Sequence, residues 1–101
     1  MTLPTTLTAD DAKSLIVEIA AQGGRVAFKQ HAYDRMEERH ITEPQVYSVL
    51  KTGRVVGKPE WSSYQNWKVT MKGVAIGESV TVEVAIEEDA FGQSVLVVTV
   101  Y

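Results

Sequence analysis

Residues 80–87 read Val-Thr-Val-Glu-Val-Ala-Ile-Glu, so that every second side chain is large and apolar. Residues 67–72, Trp-Lys-Val-Thr-Met-Lys, have the same period of two. Because successive side chains of a strand point to opposite faces, this pattern predicts two half-buried antiparallel strands. The glycine-bearing segment 73–77 is predicted as the turn between them, and 89–92 as the turn after the second strand.

Three further strands are predicted around this pair. Residues 95–100, Val-Leu-Val-Val-Thr-Val, form a nearly unbroken apolar run, which is typical of an inner strand covered on both faces. Residues 54–56 are predicted as a short strand that ends at the turn-like Gly57-Lys-Pro59. The weak alternation of residues 25–29 predicts one more short strand earlier in the chain.

The first half of the chain has a helical period instead. We expect a first helix capped by Thr8, with Asp11 three residues later, and ended by Gly23-Gly24. Its apolar stripe has the spacing of one helix face, and it consists of Ala12, Leu15, Ile16 and Ile19.

A second cap signature lies near the middle of the chain. Thr42 is predicted as the cap and Gln45 as its capping-box partner, with Pro44 in the first turn. We expect this helix to end at Gly53 in the left-handed conformation. Helices followed by a strand meander predict a single α+β domain over residues 1–101, with the N-terminal helices packed on one face of a C-terminal antiparallel sheet of three to five strands.

Composition limits the classes of protein to consider. The chain has no cysteine, which excludes disulfides and thiolate chemistry, and no apolar run as long as a membrane span. The N-terminus lacks the basic start and apolar stretch of a secretory signal, so we expect a cytoplasmic protein without a membrane partner.

Charge is unevenly distributed along the chain. The net charge is −3, but residues 25–72 hold nine Lys and Arg against five acids. Residues 78–101 contain five acids and no base. A basic centre between acidic flanks fits a local site for phosphate, or a charge-complementary surface for a partner.

The basic centre contains the run His-Ala-Tyr-Asp-Arg-Met-Glu-Glu-Arg-His-Ile at residues 31–41. His31, Arg35 and Arg39 follow at steps of four, so a helix would place them on one accessible face, suited to an anionic partner. Alternatively, the two arginines pair with nearby acids on a solvated helix face. A second, apolar row that can anchor the helix consists of Ala32 and Met36.

This run resembles a widespread prokaryotic domain family of unknown function. The family signature is H-A-x-x-R-M-x-x-R-x-I, followed by a capped helix that ends in glycine, here Val49-Leu-Lys-Thr-Gly53. The final Val97-Val-Thr-Val-Tyr101 is similar to the family's last strand, so the resemblance extends over about residues 24–101. His40 stands where the family more usually has glycine, and we expect a tight or strained connection there.

The order of elements also resembles that of RelE/MqsR-type bacterial toxins, small ribonucleases that cut messenger RNA and are silenced by an antitoxin. The segment 61–68 is similar in placement to the MqsR segment that carries active-site polar residues. The resemblance therefore implies RNA as the substrate and an antitoxin as a protein partner. It also implies a set of substrate-binding residues, namely Tyr64, Gln65 and Trp67.

Metal-free RNA cleavage needs a group that exchanges protons near neutral pH and cations that bind the phosphate. The catalytic candidates that meet these needs are His31, Arg35, Arg39, Lys68 and Tyr101. His31 can titrate near neutrality, and a tyrosine can donate a proton or stack on a base. Each candidate also has a purely structural interpretation, as a packing residue or a solvated charge.

No cofactor or metal site is predicted. The sequence has no glycine-rich phosphate loop, and its two histidines, His31 and His40, are nine residues apart. Two hypotheses result, and both leave the oligomeric state open. The first is a RelE/MqsR-like endoribonuclease, the toxin of a toxin–antitoxin pair. The second is a non-catalytic domain whose helix 31–39 holds a protein or nucleic acid.

Overall fold

The computed structural model describes residues 3–22 and 25–101, and within them the chain is an α+β domain, as predicted. The helices are α1 (Ala9–Ala21), α2 (Gln30–Arg39) and α3 (Glu43–Thr52). The strands are β1 (Val26–Phe28), β2 (Arg54–Trp61), β3 (Trp67–Ala75), β4 (Glu78–Asp89) and β5 (Gly92–Val100). In the described part of the chain, no helix has the length and apolar character needed to cross a membrane.

The five strands form one sheet in the order β1-β5-β4-β3-β2. Strands β2 to β5 make the predicted antiparallel meander. β1 differs, because it pairs with β5 in parallel, with Val26 opposite Val95. A parallel pair needs a long connection, and here α2, α3 and strands β2 to β4 lie between β1 and β5 in the chain. β5 is therefore an inner strand, as predicted.

The core lies between the helices and one face of the sheet. Its largest fully buried side chains come from both layers and include Ile16, Leu50, Met71, Ile86 and Val97. The prediction that β5 is covered on both faces is wrong, because Leu96 and Val98 stay partly exposed. The register shifts so that Val84 pairs with Val97 and Glu83 with Thr99. This bulge adds one residue to the strand, so the core-facing Val97 and Val100 are three residues apart instead of two.

Both predicted helix starts are confirmed. The Thr8 Oγ1 accepts a hydrogen bond from the Asp11 N–H at 3.1 Å. At α3, the Thr42 N–H donates to Gln45 Oε1 at 2.8 Å, and Thr42 Oγ1 accepts from the Gln45 N–H at 3.4 Å. α1 ends at Ala21, and its predicted stop at Gly23-Gly24 lies outside the described residues.

Gly53 does not have the predicted left-handed conformation, since its backbone is extended with φ −74° and ψ −174°. Glycine is needed at this position because there is no room for a side chain. A Cβ at this position would lie 2.6 Å from Val49 O and 2.8 Å from Lys72 O. Gly73, on β3, lies directly against Gly53, so the end of α3 approaches β3 backbone to backbone.

The predicted turn at residues 57–59 is also wrong, because β2 continues through it to Trp61. The segment is an irregularity in the pairing of β2 with β3, between Val56 and Glu60. β2 is an edge strand, where proline and a bulge are tolerated. The turn predicted over 73–77 is reduced to Ile76-Gly77, with φ +53° and +75°, as in a type I′ hairpin. Strands β4 and β5 meet in the predicted turn at 89–92.

Candidate functional site

The candidate site is built on α2, which is helical over 30–39 and so confirms the helix predicted for 31–39. Ala32 and Met36 are buried and fix the helix against the core and β5. At its start, the Phe28 ring stacks on Tyr33 with ring centroids 5.2 Å apart. The orientation of the helix is therefore set by packing on both sides of its first turns.

One flank of α2 carries the three predicted residues. His31 and Arg39 are exposed and Arg35 is half-buried, so the flank is accessible to solvent along its length. Arg35 Nε donates to the carbonyl oxygen of Val100 at 3.3 Å. Its Nη1 lies 3.1 Å from Glu38 Oε2, so the alternative prediction of local pairing holds for this arginine.

Arg39 is free to bind a ligand. Within the described residues, its guanidinium forms no hydrogen bond or ion pair with another side chain, and Arg25–Asp89 and Arg35–Glu38 are the ion pairs. A guanidinium has five N–H donors in one plane, so Arg35 also keeps donors beyond the two that Val100 and Glu38 engage. The flank therefore offers two cationic forks beside an imidazole.

His40 ends α2 in the left-handed conformation, with φ +57° and ψ +41°. The His40 N–H donates to Glu37 O at 3.3 Å, and the Ile41 N–H donates to Met36 O at 2.9 Å. These bonds close the helix in the way a glycine usually does. The strained connection expected at His40 is confirmed, and it turns the chain directly into the cap of α3.

Tyr101 follows Val100, whose carbonyl oxygen accepts the hydrogen bond from Arg35. Its N–H donates to Thr81 O at 2.9 Å, which extends the pairing with β4 by one residue. The side chain is 49 % exposed. The structure thus brings the backbone at Tyr101 next to the α2 flank and leaves the phenol accessible.

Lys68 does not join this group. Its two sequence neighbours are buried in the core, so Lys68 lies on the opposite, helix-free face of the sheet. It pairs with Ala85, which pairs with Leu96 of β5. Leu96 precedes Val100 by four residues, so Lys68 is separated from Arg35 both along the strands and through the sheet. Its place on an exposed strand face agrees with a solvated lysine.

The predicted substrate-binding residues lie at the β2–β3 loop, at the other end of the sheet from Val100. Tyr64 is 82 % exposed, and Gln65 has a positive φ of 59°. Trp67 is only 7 % exposed, and its indole N–H donates to Pro4 O at 2.9 Å. Trp67 is therefore a core residue, and the open indole in this region belongs to Trp61.

Trp61 and Glu88 line a cleft together with Gln65, and no pattern in the sequence predicted it. The pairing register of β2 with β3 would have indicated Trp61, since it places Trp61 opposite Trp67 at the end of the hairpin. The contribution of Glu88 could not have been found, because it comes from a different hairpin. Within residues 3–22 and 25–101, no three His, Asp or Glu side chains cluster as metal ligands would.

Comparison with known proteins gives one match. A family described as "Domain of unknown function (DUF4258)" matches residues 28–101, from the end of β1 to Tyr101. The match covers α2, α3 and strands β2 to β5. No curated protein and no solved structure matches the chain.

Proposed function

The chain belongs to the DUF4258 family, whose description assigns no activity, and we propose from its own residues that it is a metal-independent endoribonuclease. The substrate is cytoplasmic RNA, cut at the flank of α2. As the resemblance to RelE/MqsR proteins implies, the biological role proposed is that of a toxin held inactive by an antitoxin protein.

The observation that carries this proposal is the grouping of His31, Arg35 and Arg39 on one open flank of α2. These groups are an imidazole and two guanidiniums. They match the needs of RNA cleavage, which are proton transfer near neutral pH and stabilisation of a phosphate whose negative charge increases.

The proposed reaction is an internal transfer within RNA. The ribose 2′-oxygen loses its proton to the imidazole of His31 and attacks the adjacent phosphorus. The P–O5′ bond breaks, and the leaving oxygen takes the proton back from the protonated imidazole of His31. The products are a 2′,3′-cyclic phosphate and a 5′-hydroxyl. Arg39 and the free donors of Arg35 bind the non-bridging phosphate oxygens.

Arg35 has a second part in this arrangement. Its bond to Val100 O and its ion pair with Glu38 hold the guanidinium in one orientation. A donor that is already oriented needs no reorganisation when charge develops on the phosphate, and such donors contribute most to catalysis.

A binding domain without catalysis is the second candidate, and one observation favours it. The flank is exposed along its length, and Lys68 on β3 and Tyr64 and Gln65 in the β2–β3 loop lie away from it. An open helix flank can hold a phosphate backbone without surrounding the reacting atoms. In that case the same arginines bind RNA or an acidic protein and cut nothing.

The test is incubation of the purified protein with diverse RNAs at pH 5–9, with EDTA or with magnesium. We expect cleavage in EDTA, and loss of cleavage in the double variant Arg35→Ala/Arg39→Ala. The matched control is Lys51→Ala/Lys72→Ala, which removes two exposed positive charges away from α2 and should cut normally. Circular dichroism checks that both variants are folded.

Two results would overturn the nuclease. One is intact RNA under every condition, and the other is equal loss of cleavage in the control variant. If RNA stays intact but binds the wild type and not Arg35→Ala/Arg39→Ala in a filter assay, the binding domain becomes the function of this flank.

A further inference from the structure

A cleft of about 600 Å³ opens at the end of the sheet that carries the β2–β3 loop. The N-terminal segment forms one wall with Leu3, Pro4 and Thr5. The opposite walls come from Trp61, Gln65 and Glu88. None of the catalytic candidates on α2 lines this cleft, so it is a separate site, and its ligand is independent of the proposed ribonuclease.

The walls of the cleft are held in place. The Trp67 indole N–H donates to Pro4 O at 2.9 Å, which ties the N-terminal segment to β3. Trp61 packs edge-on against Trp67, with ring centroids 5.2 Å apart and planes at 67°. In the loop between them, Ser62 bonds to Asn66, whose amide donates to Glu87 Oε2 at 3.0 Å.

Two groups in this fixed frame remain open to a ligand. Trp61 is 51 % exposed although its ring is large and apolar. Glu88 is half-buried, and its carboxylate forms no ion pair with any residue that the structure describes. Glu87 differs, because its carboxylate is already engaged by Asn66. The cleft therefore presents one aromatic face and one available negative charge.

This pair of groups has a defined ligand chemistry. The face of an indole attracts a guanidinium or ammonium within about 6 Å of the ring centroid. A carboxylate forms its strongest hydrogen bonds with the planar fork of a guanidinium. The Gln65 amide can supply a further acceptor. We propose that the cleft binds an arginine side chain in a basic segment of a partner protein.

The charge around the cleft supports a basic partner. Glu88 also lines a second cleft together with Asp89, and α1 contributes Asp11 and Glu18 to a neighbouring third cleft. Arg25 already pairs with Asp89, whereas Glu88, Asp11 and Glu18 form no ion pair with any residue that the structure describes. A basic segment is attracted to such a surface, whereas the phosphates of RNA are repelled by it. An RNA base stacked on Trp61 is therefore the less favoured occupant.

The experiment titrates the full-length protein with the peptide acetyl-Gly-Arg-Gly-Arg-Gly-amide and measures binding by isothermal titration calorimetry, which does not need Trp61 as a reporter. Matched peptides carry lysine or citrulline in place of arginine, and citrulline keeps the shape of the side chain without its charge. We expect binding in the order arginine, lysine, citrulline, with at least a threefold step between arginine and lysine. Added salt should weaken binding.

Variants locate the binding site. Glu88→Gln should weaken arginine-peptide binding at least fivefold. Glu78→Gln makes the same charge change at the exposed start of β4 and should have no effect. Trp61→Ala should abolish binding, and Trp61→Phe, which keeps an aromatic face in contact with Trp67, should retain part of it. Thermal melting checks that each variant is folded.

Three outcomes would overturn this proposal. The citrulline peptide could bind as well as the arginine peptide, which would show that charge is not recognised. Glu88→Gln could behave like Glu78→Gln. Finally, a single-stranded RNA oligomer could bind in a Trp61-dependent way while the arginine peptide does not, and the cleft would then be a base-stacking site.

Discussion

The Arg35 guanidinium lies across the end of β5, with its Nε 3.3 Å from the carbonyl oxygen of Val100. This contact joins the basic flank of α2 to the last residue of the inner strand. The sheet therefore fixes the position of one cationic group, while Arg39 reaches into solvent from the same flank. The two arginines are expected to respond differently to substitution.

Arg35→Lys should lose more activity than Arg39→Lys. An ammonium cannot bond to Val100 O and Glu38 and also present a fork to phosphate, so we expect a loss on the order of 10²-fold in kcat/KM for Arg35→Lys. Arg39→Lys keeps a mobile charge near the phosphate and should lose less. Equal losses in the two variants would show that the anchoring of Arg35 has no role.

His40→Gly should stabilise the fold. A non-glycine residue in the left-handed conformation costs about 1–2 kcal/mol, although glycine returns part of this through the entropy of the unfolded chain. We expect a net gain of about 0.5–1 kcal/mol in the free energy of unfolding, measured by urea denaturation. His40→Val should destabilise the protein, since a β-branched side chain fits this conformation poorly. A loss of stability in His40→Gly would mean that the imidazole makes a compensating contact.

Gly53→Ala should be among the most destabilising small substitutions in this chain. The added methyl would lie 2.6 Å from Val49 O and 2.8 Å from Lys72 O, and backbone atoms cannot move aside as side chains do. We expect a loss of about 1–3 kcal/mol in the free energy of unfolding. Gly73→Ala is the control and should destabilise the protein less, because its methyl would lie 3.2 Å from the nearest atom. The prediction fails if the two variants are equally stable.

Because of Asp89, the stability of the folded protein should depend on pH in the acidic range. The backbone N–H of Phe91 lowers the pKa of this carboxyl below its usual value, and Arg25 lowers it further. A lowered pKa in the folded state stabilises the fold above the unfolded pKa of about 4, and this contribution is lost as pH falls through the folded value. Asp89→Asn should therefore be less stable than wild type at pH 6.

Once the pH has fallen below the lowered folded pKa of Asp89, both Asp89 and its replacement are uncharged, so the melting temperatures of wild type and Asp89→Asn should converge. Thermal melts between pH 6 and pH 2 measure this difference. Glu78→Gln serves as the control at an exposed acid of the same strand. If the difference in melting temperature between wild type and Asp89→Asn stays constant with pH, the lowered pKa of Asp89 is contradicted.

The sequence predicts the elements of this fold better than their local geometry. Thr8 and Thr42 identify both caps, because capping depends on residues within one turn. The role of Gly53 could not be predicted, because it depends on the close approach of β3, which is distant in sequence. The apolar run of β5 indicated an inner strand correctly, but it could not show the bulge near Val98, which depends on the pairing with β4.

The candidate site was predictable to the extent that it is local. Steps of four along one helix are enough to group His31, Arg35 and Arg39 on a flank of α2. The separation of Lys68 from that flank depends on which sheet face it occupies and on the strand order. Neither can be derived from spacing along the chain.

The most direct test of the proposed activity compares two oligonucleotides of one sequence, unmodified RNA and its fully 2′-O-methyl form. We expect the protein to cut only the unmodified RNA, in EDTA, and to leave 2′,3′-cyclic phosphate and 5′-hydroxyl ends. No cutting of either, or cutting of the 2′-O-methyl form at a similar rate, would contradict the proposed activity.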